Sequence, residues 1–107
     1  MQQITPQELK GWLDDPSRGR PVLVDVREPW ERHVCSLPGS VHVPMNAVPA
    51  RAGELDPGAD LVVICHHGGR SFQAGMFLEH RGFARVYNLH GGVDAWARTI
   101  DPSMATY

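Results

Sequence analysis

The sequence has no long apolar run, no excess of basic residues and only two cysteines. Its longest apolar stretches are four or five residues, whereas a membrane-spanning helix needs roughly 20. Ten Lys and Arg residues against twelve Asp and Glu residues give a net charge of −2, and nucleic-acid-binding domains normally carry a basic excess. We therefore expect neither a membrane nor a nucleic acid as a partner.

The two cysteines, Cys35 and Cys65, are too few for a disulfide scaffold and lack Cys-x-x-Cys spacing. The first residues contain no basic segment leading into an apolar one, so no secretory signal is predicted. A cytoplasmic protein with reduced thiols is the simplest interpretation. A mature exported protein whose signal had been removed would have the same features.

Strand and helix patterns alternate along the chain, whose 107 residues suit one domain, 1–107, and leave no room for two. The strands are apolar runs more than strict alternations, which predicts an α/β fold with a largely parallel sheet covered on both faces. The tail, residues 101–107, is expected to be loosely held. Strands are predicted over 21–26, 40–44, 61–64 and 85–89, and helical segments over 5–14, 27–33, 45–51, 70–80 and from 91 onward.

The segment LVVICHHGGRS, residues 61–71, is an apolar strand pattern that ends in chemically versatile residues. Ligands of parallel sheets bind beyond the carboxyl ends of the strands, where Cys65 lies. A helix that starts near Arg70 would present its free amides and the positive end of its dipole to this loop. Gly68 and Gly69 allow the backbone to form an anion nest, and the Arg70 fork suits sulfonate or phosphate. The pattern favours a Cys65 thiolate that attacks the central atom of a bound anion; the alternative is an inert buried thiol.

Four segments in order resemble the single-domain rhodaneses, which are sulfurtransferases of the rhodanese homology family. They are VLVDVREPWE (22–31), LPGSVHVP (37–44), VVICHHGGRS (62–71) and VYNLHGGVDAW (86–96). The resemblance spans most of the chain and implies a five-stranded, mainly parallel sheet flanked by helices on both faces.

The resemblance also implies a ping-pong mechanism with a covalent persulfide on Cys65. Arg70 and the amides of the loop His66, His67, Gly68, Gly69 and Arg70 would hold the sulfonate of a small anionic donor such as thiosulfate. The acceptor would be cyanide or a thiol, or the exchange would involve a protein persulfide donor or acceptor. No metal or organic cofactor is implied.

The spacing of cysteine and arginine distinguishes two branches of this family. The loop from Cys65 to Arg70 has six residues, as in the sulfur-transferring members. The related dual-specificity phosphatases and arsenate reductases place one more residue between cysteine and arginine. Their pattern would need an arginine at Ser71 and typically a histidine at Ile64, and neither is present.

The histidines and a tryptophan near the loop have open roles. His66 and His67 either tune acceptor binding or contribute only backbone amides. Trp30 and His90 are candidates for the pocket rim, although His90 suits a turn with the following glycines equally well. A zinc site of Cys65, His66 and His67 is not expected, because three adjacent residues rarely converge on a tetrahedral ion.

Other residues near the predicted site have structural and functional interpretations. Asp25 and Arg27 end the strand beside the catalytic one, and the resemblance favours a supporting role in hydrogen-bonding neighbouring loops. Cys35 departs from the family, since CSLPGS (35–40) stands where many members have GHIPGA. It is either a tolerated small residue or a second thiol that resolves the persulfide.

Three functions are open at this point. The first is a thiosulfate or persulfide sulfurtransferase that uses Cys65. The second is a persulfide carrier loaded by another protein, since histidines make this loop less cationic than one with lysines. The third is a non-catalytic module that binds a partner or senses redox state; the presence of Cys65 and of a complete loop favours the enzyme.

Overall fold

Five strands form one parallel sheet in the computed structural model, which describes residues 1–107. The order across the sheet is β1-β5-β4-β2-β3, and every neighbouring pair is parallel. The strands are β1 (Gln2–Ile4), β2 (Val22–Asp25), β3 (Val41–His42), β4 (Asp60–Ile64) and β5 (Arg85–Leu89).

Helices occupy the connections between the strands. They are α1 (Pro6–Asp14), α2 (Pro29–Val34), α3 (Val48–Arg51), α4 (Gly69–His80) and α5 (Gly92–Thr99), with 3₁₀ turns at Met45–Ala47 and Ala52–Glu54. None of them combines the length and the apolar character required to traverse a bilayer.

Local sequence signals explain where α1 and α4 begin and end. The Thr5 hydroxyl accepts the Glu8 amide at 3.1 Å and the Glu8 carboxylate accepts the Thr5 amide at 2.9 Å, which is a capping box. The helix α4 follows Gly68, whose φ is +104°, and is followed by Gly82, whose φ is +95°. Glycine suits both ends because an L side chain rarely adopts such angles.

The side chains of β4 alternate between two cores, one on each face of the sheet. Leu61 and Val63 pack into the core that contains Ala74 and Leu78 of α4. Val62 and Ile64 face the other core, which contains Leu9 and Trp12 of α1 and Val93 and Trp96 of α5. These four of the five β4 residues are at most 1% exposed, so β4 is the buried central strand.

The fold class predicted from the sequence is confirmed, and two details differ. The strand β1 was not predicted, because Gln2 and Gln3 are polar and the strand has only three residues. The tail was expected to be loosely held, yet in the structure Tyr107 stacks on His66 and hydrogen-bonds Glu31.

Candidate active site

Cys65 lies directly beyond β4 at the centre of the carboxyl edge of the sheet, as predicted from the apolar run before it. The residue is 1% exposed. Its sulfur accepts the Gly68 N–H at 3.0 Å and lies 3.2 Å from the hydroxyl of Ser71. A sulfur anion at this position would therefore face a backbone donor and a rotatable hydroxyl, both of which stabilise negative charge.

A buried network of polar side chains lies next to the Cys65 sulfur. The Ser71 hydroxyl donates to Asn88 Oδ1, and Asn88 Nδ2 donates to the Gly68 carbonyl at 3.1 Å. Ser71 is 0% and Asn88 3% exposed. Because a hydroxyl has one hydrogen, Ser71 donates either to Asn88 or to a sulfur anion on Cys65. The sequence predicts a role for neither residue, although both lie inside the segments that carry the family resemblance.

The start of α5 holds the loop backbone in its orientation. The Val93 amide donates to the Cys65 carbonyl at 2.9 Å, and the Asp94 amide donates to the His66 carbonyl at 3.1 Å. N–H and C=O point in opposite directions across a trans peptide. Because the Cys65 and His66 carbonyls point toward α5, the amides of His66 and His67 point away from it. Gly92 makes this approach possible, because a Cβ there would overlap both carbonyl oxygens.

The guanidinium of Arg70 binds the carboxylate of Glu31, which lies on α2. The two hydrogen bonds measure 2.6 and 2.7 Å. They hold the pKa of Glu31 down at about 2, and the same pair raises the pKa of Arg70. The sequence predicted that this fork would hold the donor anion; in the structure a protein carboxylate occupies it. The partners are 39 positions apart, a separation at which sequence periodicity carries no signal.

Asp25 and Arg27 form the buried support of the α2 side of the site. Arg27 is 0% exposed, and its Nη2 donates to Asp25 Oδ2 at 2.8 Å and to the Cys35 carbonyl at 2.6 Å. Its Nη1 lies 3.7 Å from the Cys35 sulfur. These contacts link strand β2 to the end of α2.

The side chains of His66 and His67 stack on each other, with ring centroids 3.9 Å apart and an interplanar angle of 25°. Burial is the main cause that lowers the pKa of His66, and the neighbouring His67 lowers it further. Candidate ligand atoms of His66, His67 and Asp94 lie within 4.8 Å of one another. The Asp94 carboxylate of this cluster is paired with Arg98.

The two candidates for the pocket rim lie in different surroundings. Trp30 is 61% exposed and meets the ring of Tyr107 edge-on, with centroids 5.5 Å apart. His90 is exposed at the end of β5, and its amide donates to the Ile4 carbonyl at 2.8 Å. Trp30 thus lies next to Tyr107, which contacts the loop through His66. His90, by contrast, connects β5 to the edge strand β1.

Residues 5–99 match the rhodanese-like domain family. The chain belongs to the rhodanese-like family. It is 42% identical over 84 residues to a sulfurtransferase of Allochromatium vinosum, covering 78% of each chain. It is 38% identical over 78 residues to the thiosulfate sulfurtransferase GlpE of Pseudomonas syringae, covering 73% of this chain and 74% of that one. The rhodanese-like family resemblance drawn from the four segments is therefore confirmed.

Solved structures and longer relatives agree with this assignment. A rhodanese-like domain protein from Staphylococcus aureus superposes with a TM-score of 0.82 at 29% identity, covering 90% of this chain and 91% of that one. The chain is also 38% identical over 112 residues to the chloroplastic rhodanese-like/PpiC domain-containing protein 12 of Arabidopsis thaliana, but it spans only 38% of that protein's length. The rhodanese-like domain thus occurs both in single-domain sulfurtransferases and as part of longer chains.

Proposed function

We propose that this protein is a sulfurtransferase that moves a sulfane sulfur from thiosulfate or another persulfide donor to a thiophilic acceptor through a Cys65 persulfide. The contact that supports this most directly is the Gly68 N–H donating to the Cys65 sulfur at 3.0 Å. A nucleophilic thiolate needs such a donor, and a persulfide anion needs one in the same loop. The sulfurtransferases among the relatives add independent support.

In the first half-reaction the Cys65 thiolate attacks the outer sulfur of the donor. A new S–S bond forms to Cys65, the S–S bond of thiosulfate breaks, and its electron pair leaves with sulfite. The product on the enzyme is the anion Cys65–S–S⁻. The amide of Gly68 and the Ser71 hydroxyl are the donors available to stabilise it, and Ser71 can turn from Asn88 toward the sulfur.

In the second half-reaction an acceptor attacks the outer sulfur of the persulfide. Cyanide leaves as thiocyanate and a thiolate leaves as its persulfide, and in both cases the electron pair of the broken bond returns to the Cys65 sulfur. No electron donor, metal or organic cofactor enters this balance. The Cys35 thiol is not required by either step.

Steady-state kinetics test the proposal. With thiosulfate and cyanide varied together, a covalent intermediate gives ping-pong kinetics, with parallel lines in double-reciprocal plots. Intersecting lines, or turnover that survives in the Cys65→Ala variant, would contradict it. A Cys35→Ser variant is the matched control and should keep the rate of the original protein.

A second function, persulfide carriage, is favoured by the Arg70–Glu31 pair. Since Glu31 occupies the guanidinium fork, the site has less positive charge for a dianionic donor than the sequence suggests. A carrier would accept sulfur from a protein or small-molecule persulfide and react poorly with thiosulfate. Persulfide formation on Cys65 with a persulfide donor but not with thiosulfate would select this function.

A further inference from the structure

Tyr107 contacts two walls of the site through its ring. The ring stacks on His66, the second residue of the loop, with centroids 3.9 Å apart and planes at 14°. Its edge meets Trp30 of α2 at 5.5 Å and 71°. The chain segment 101–107 therefore reaches from α5 to the gap between the catalytic loop and α2.

The hydroxyl of Tyr107 fixes the ring in that gap. It accepts a hydrogen bond from Arg27 Nη1 at 3.0 Å and donates to Glu31 Oε2 at 2.7 Å. Burial raises the pKa of Tyr107 to about 12, so the phenol keeps its proton at physiological pH. Glu31 in turn holds Arg70, the last residue of the loop. Tyr107 is thus connected to both ends of the loop that surrounds the Cys65 sulfur.

The packing beneath the tail is tight. The space lined by His66, Val93 and residues 105–107 has no room for a water molecule. The Nε2 atom of His66 is buried there without a hydrogen-bond partner. Cys65 itself is 1% exposed. Tyr107 and Trp30 thus lie together between α2 and the loop that carries Cys65.

We propose that Tyr107 is a specificity-determining residue that limits the size of the acceptors reaching the Cys65 persulfide. This inference rests on the proposed sulfur transfer. An acceptor attacks the outer sulfur in line with the S–S bond, forms a new bond to it and leaves the electron pair of the old bond on Cys65. Cyanide needs little space for that approach, whereas a thiol on a peptide such as glutathione must bring its substituent past the Tyr107 ring. The site accordingly selects small, slender nucleophiles.

The test compares kcat/KM for glutathione with kcat/KM for cyanide, with thiosulfate as donor. Tyr107→Ala removes the ring and is expected to raise the glutathione-to-cyanide ratio roughly tenfold, the scale of discrimination that pocket shape achieves. Tyr107→Phe keeps the ring and is expected to keep the ratio within about twofold of the original. Ser103→Ala, in the same tail but bonded only to Asp101, is the matched control. An unchanged ratio in a folded Tyr107→Ala protein overturns the inference.

A second variant covers the case in which Tyr107→Ala fails to fold, as judged by circular dichroism. Tyr107→Trp enlarges the ring and is expected to lower the glutathione-to-cyanide ratio. A ratio that stays the same or rises in the folded Trp variant contradicts the size limit.

Alkylation of Cys65 separates this inference from the proposed function, because it needs no sulfur transfer. Iodoacetamide is the small reagent and fluorescein maleimide the bulky one, and the Cys65 peptide is quantified by mass spectrometry. Tyr107→Ala should raise the bulky-to-small rate ratio by a similar factor. If that ratio rises in a protein that forms no persulfide, sulfur transfer is wrong and the ring still limits access. If persulfide forms and the alkylation ratio stays constant, sulfur transfer stands and the role of Tyr107 is wrong.

Discussion

The Ser71 hydroxyl is shared between the sulfur of Cys65 and the amide oxygen of Asn88. It is fully buried. In the resting site it donates to Asn88, and a negative charge on sulfur favours its rotation toward Cys65. We therefore expect Ser71 to supply a donor when charge resides on a Cys65 thiolate or persulfide.

We predict that Ser71→Ala lowers kcat/KM for thiosulfate by roughly tenfold or more, because a hydrogen bond to a charged group contributes about 1.5–3 kcal/mol. Steady-state assays measure the loss. Ser17→Ala is the control, since the Ser17 hydroxyl bonds only Asp15 at an exposed turn. An unchanged kcat/KM in Ser71→Ala would remove the hydroxyl from the reaction.

We predict that the Glu31–Arg70 pair makes the free energy of unfolding depend on pH. The folded-state pKa of Glu31 is about 2 because Arg70 hydrogen-bonds its carboxylate, and an unfolded glutamate titrates near 4.3. A carboxyl with a lowered pKa contributes stability above its unfolded value and loses it as the pH falls toward the folded value. The contribution is therefore present above about pH 4.3 and disappears between about pH 4.3 and pH 2.

Glu31→Gln removes this titration. Urea unfolding at pH 6 and at pH 3 should show a larger loss of unfolding free energy for the original protein than for the variant. Glu54→Gln is the control, because Glu54 pairs with Arg51 in an exposed i,i+3 contact, where an ion pair contributes little. Equal losses in Glu31→Gln and in the original protein would contradict the assignment of this pair.

At the scale of single elements, α5 matters for the site through its first turn. Gly92 has a φ of +60°, and a Cβ at this position would overlap the carbonyl oxygens of Cys65 and His66. A side chain at position 92 cannot be accommodated by a rotamer change, because the atoms that it would overlap belong to the backbone. The orientation of the loop that follows Cys65 therefore depends on Gly92.

We predict that Gly92→Ala destabilises the fold by at least about 1–2 kcal/mol from the left-handed backbone alone, and that it lowers turnover more than this loss of folded protein explains. Urea unfolding and thiosulfate turnover are the two readouts. Gly11→Ala is the matched control: it lies in α1 with open space around it and should stabilise the helix by about 0.5–1 kcal/mol. A stable and fully active Gly92→Ala protein would contradict the contact.

The elements that the sequence predicts are those with a strong local pattern. The apolar run predicts β4, the capping box predicts the start of α1, and a glycine predicts the end of α4. The structure contains all three elements. The strand β1 lacks such a pattern. Its residues pair with Tyr87, Asn88 and Leu89 of β5, so its structure comes from a neighbour more than 80 positions away, which no local window contains.

At the scale of the whole molecule, the site joins the loop after β4 with residues of β2 and α2, of β5 and α5, and of the tail. The sequence predicts the loop because Cys65, its glycines and Arg70 are contiguous. It does not predict that Glu31 occupies the Arg70 fork or that Tyr107 bonds Arg27 across 80 positions. Those contacts depend on how α2 and the tail pack against the sheet, and the Glu31 carboxylate places a negative charge beside Arg70.

The central claim is that Cys65 carries the transferred sulfur, and intact-mass spectrometry after incubation with thiosulfate tests it most directly. Removing the Sγ nucleophile should leave the fold unchanged, so Cys65→Ser is the comparison and Cys35→Ser the matched thiol control. We predict that the original protein and Cys35→Ser each gain the mass of one sulfur atom, that cyanide removes it, and that Cys65→Ser gains none. A gain in Cys65→Ser, or its loss in Cys35→Ser alone, would contradict the account.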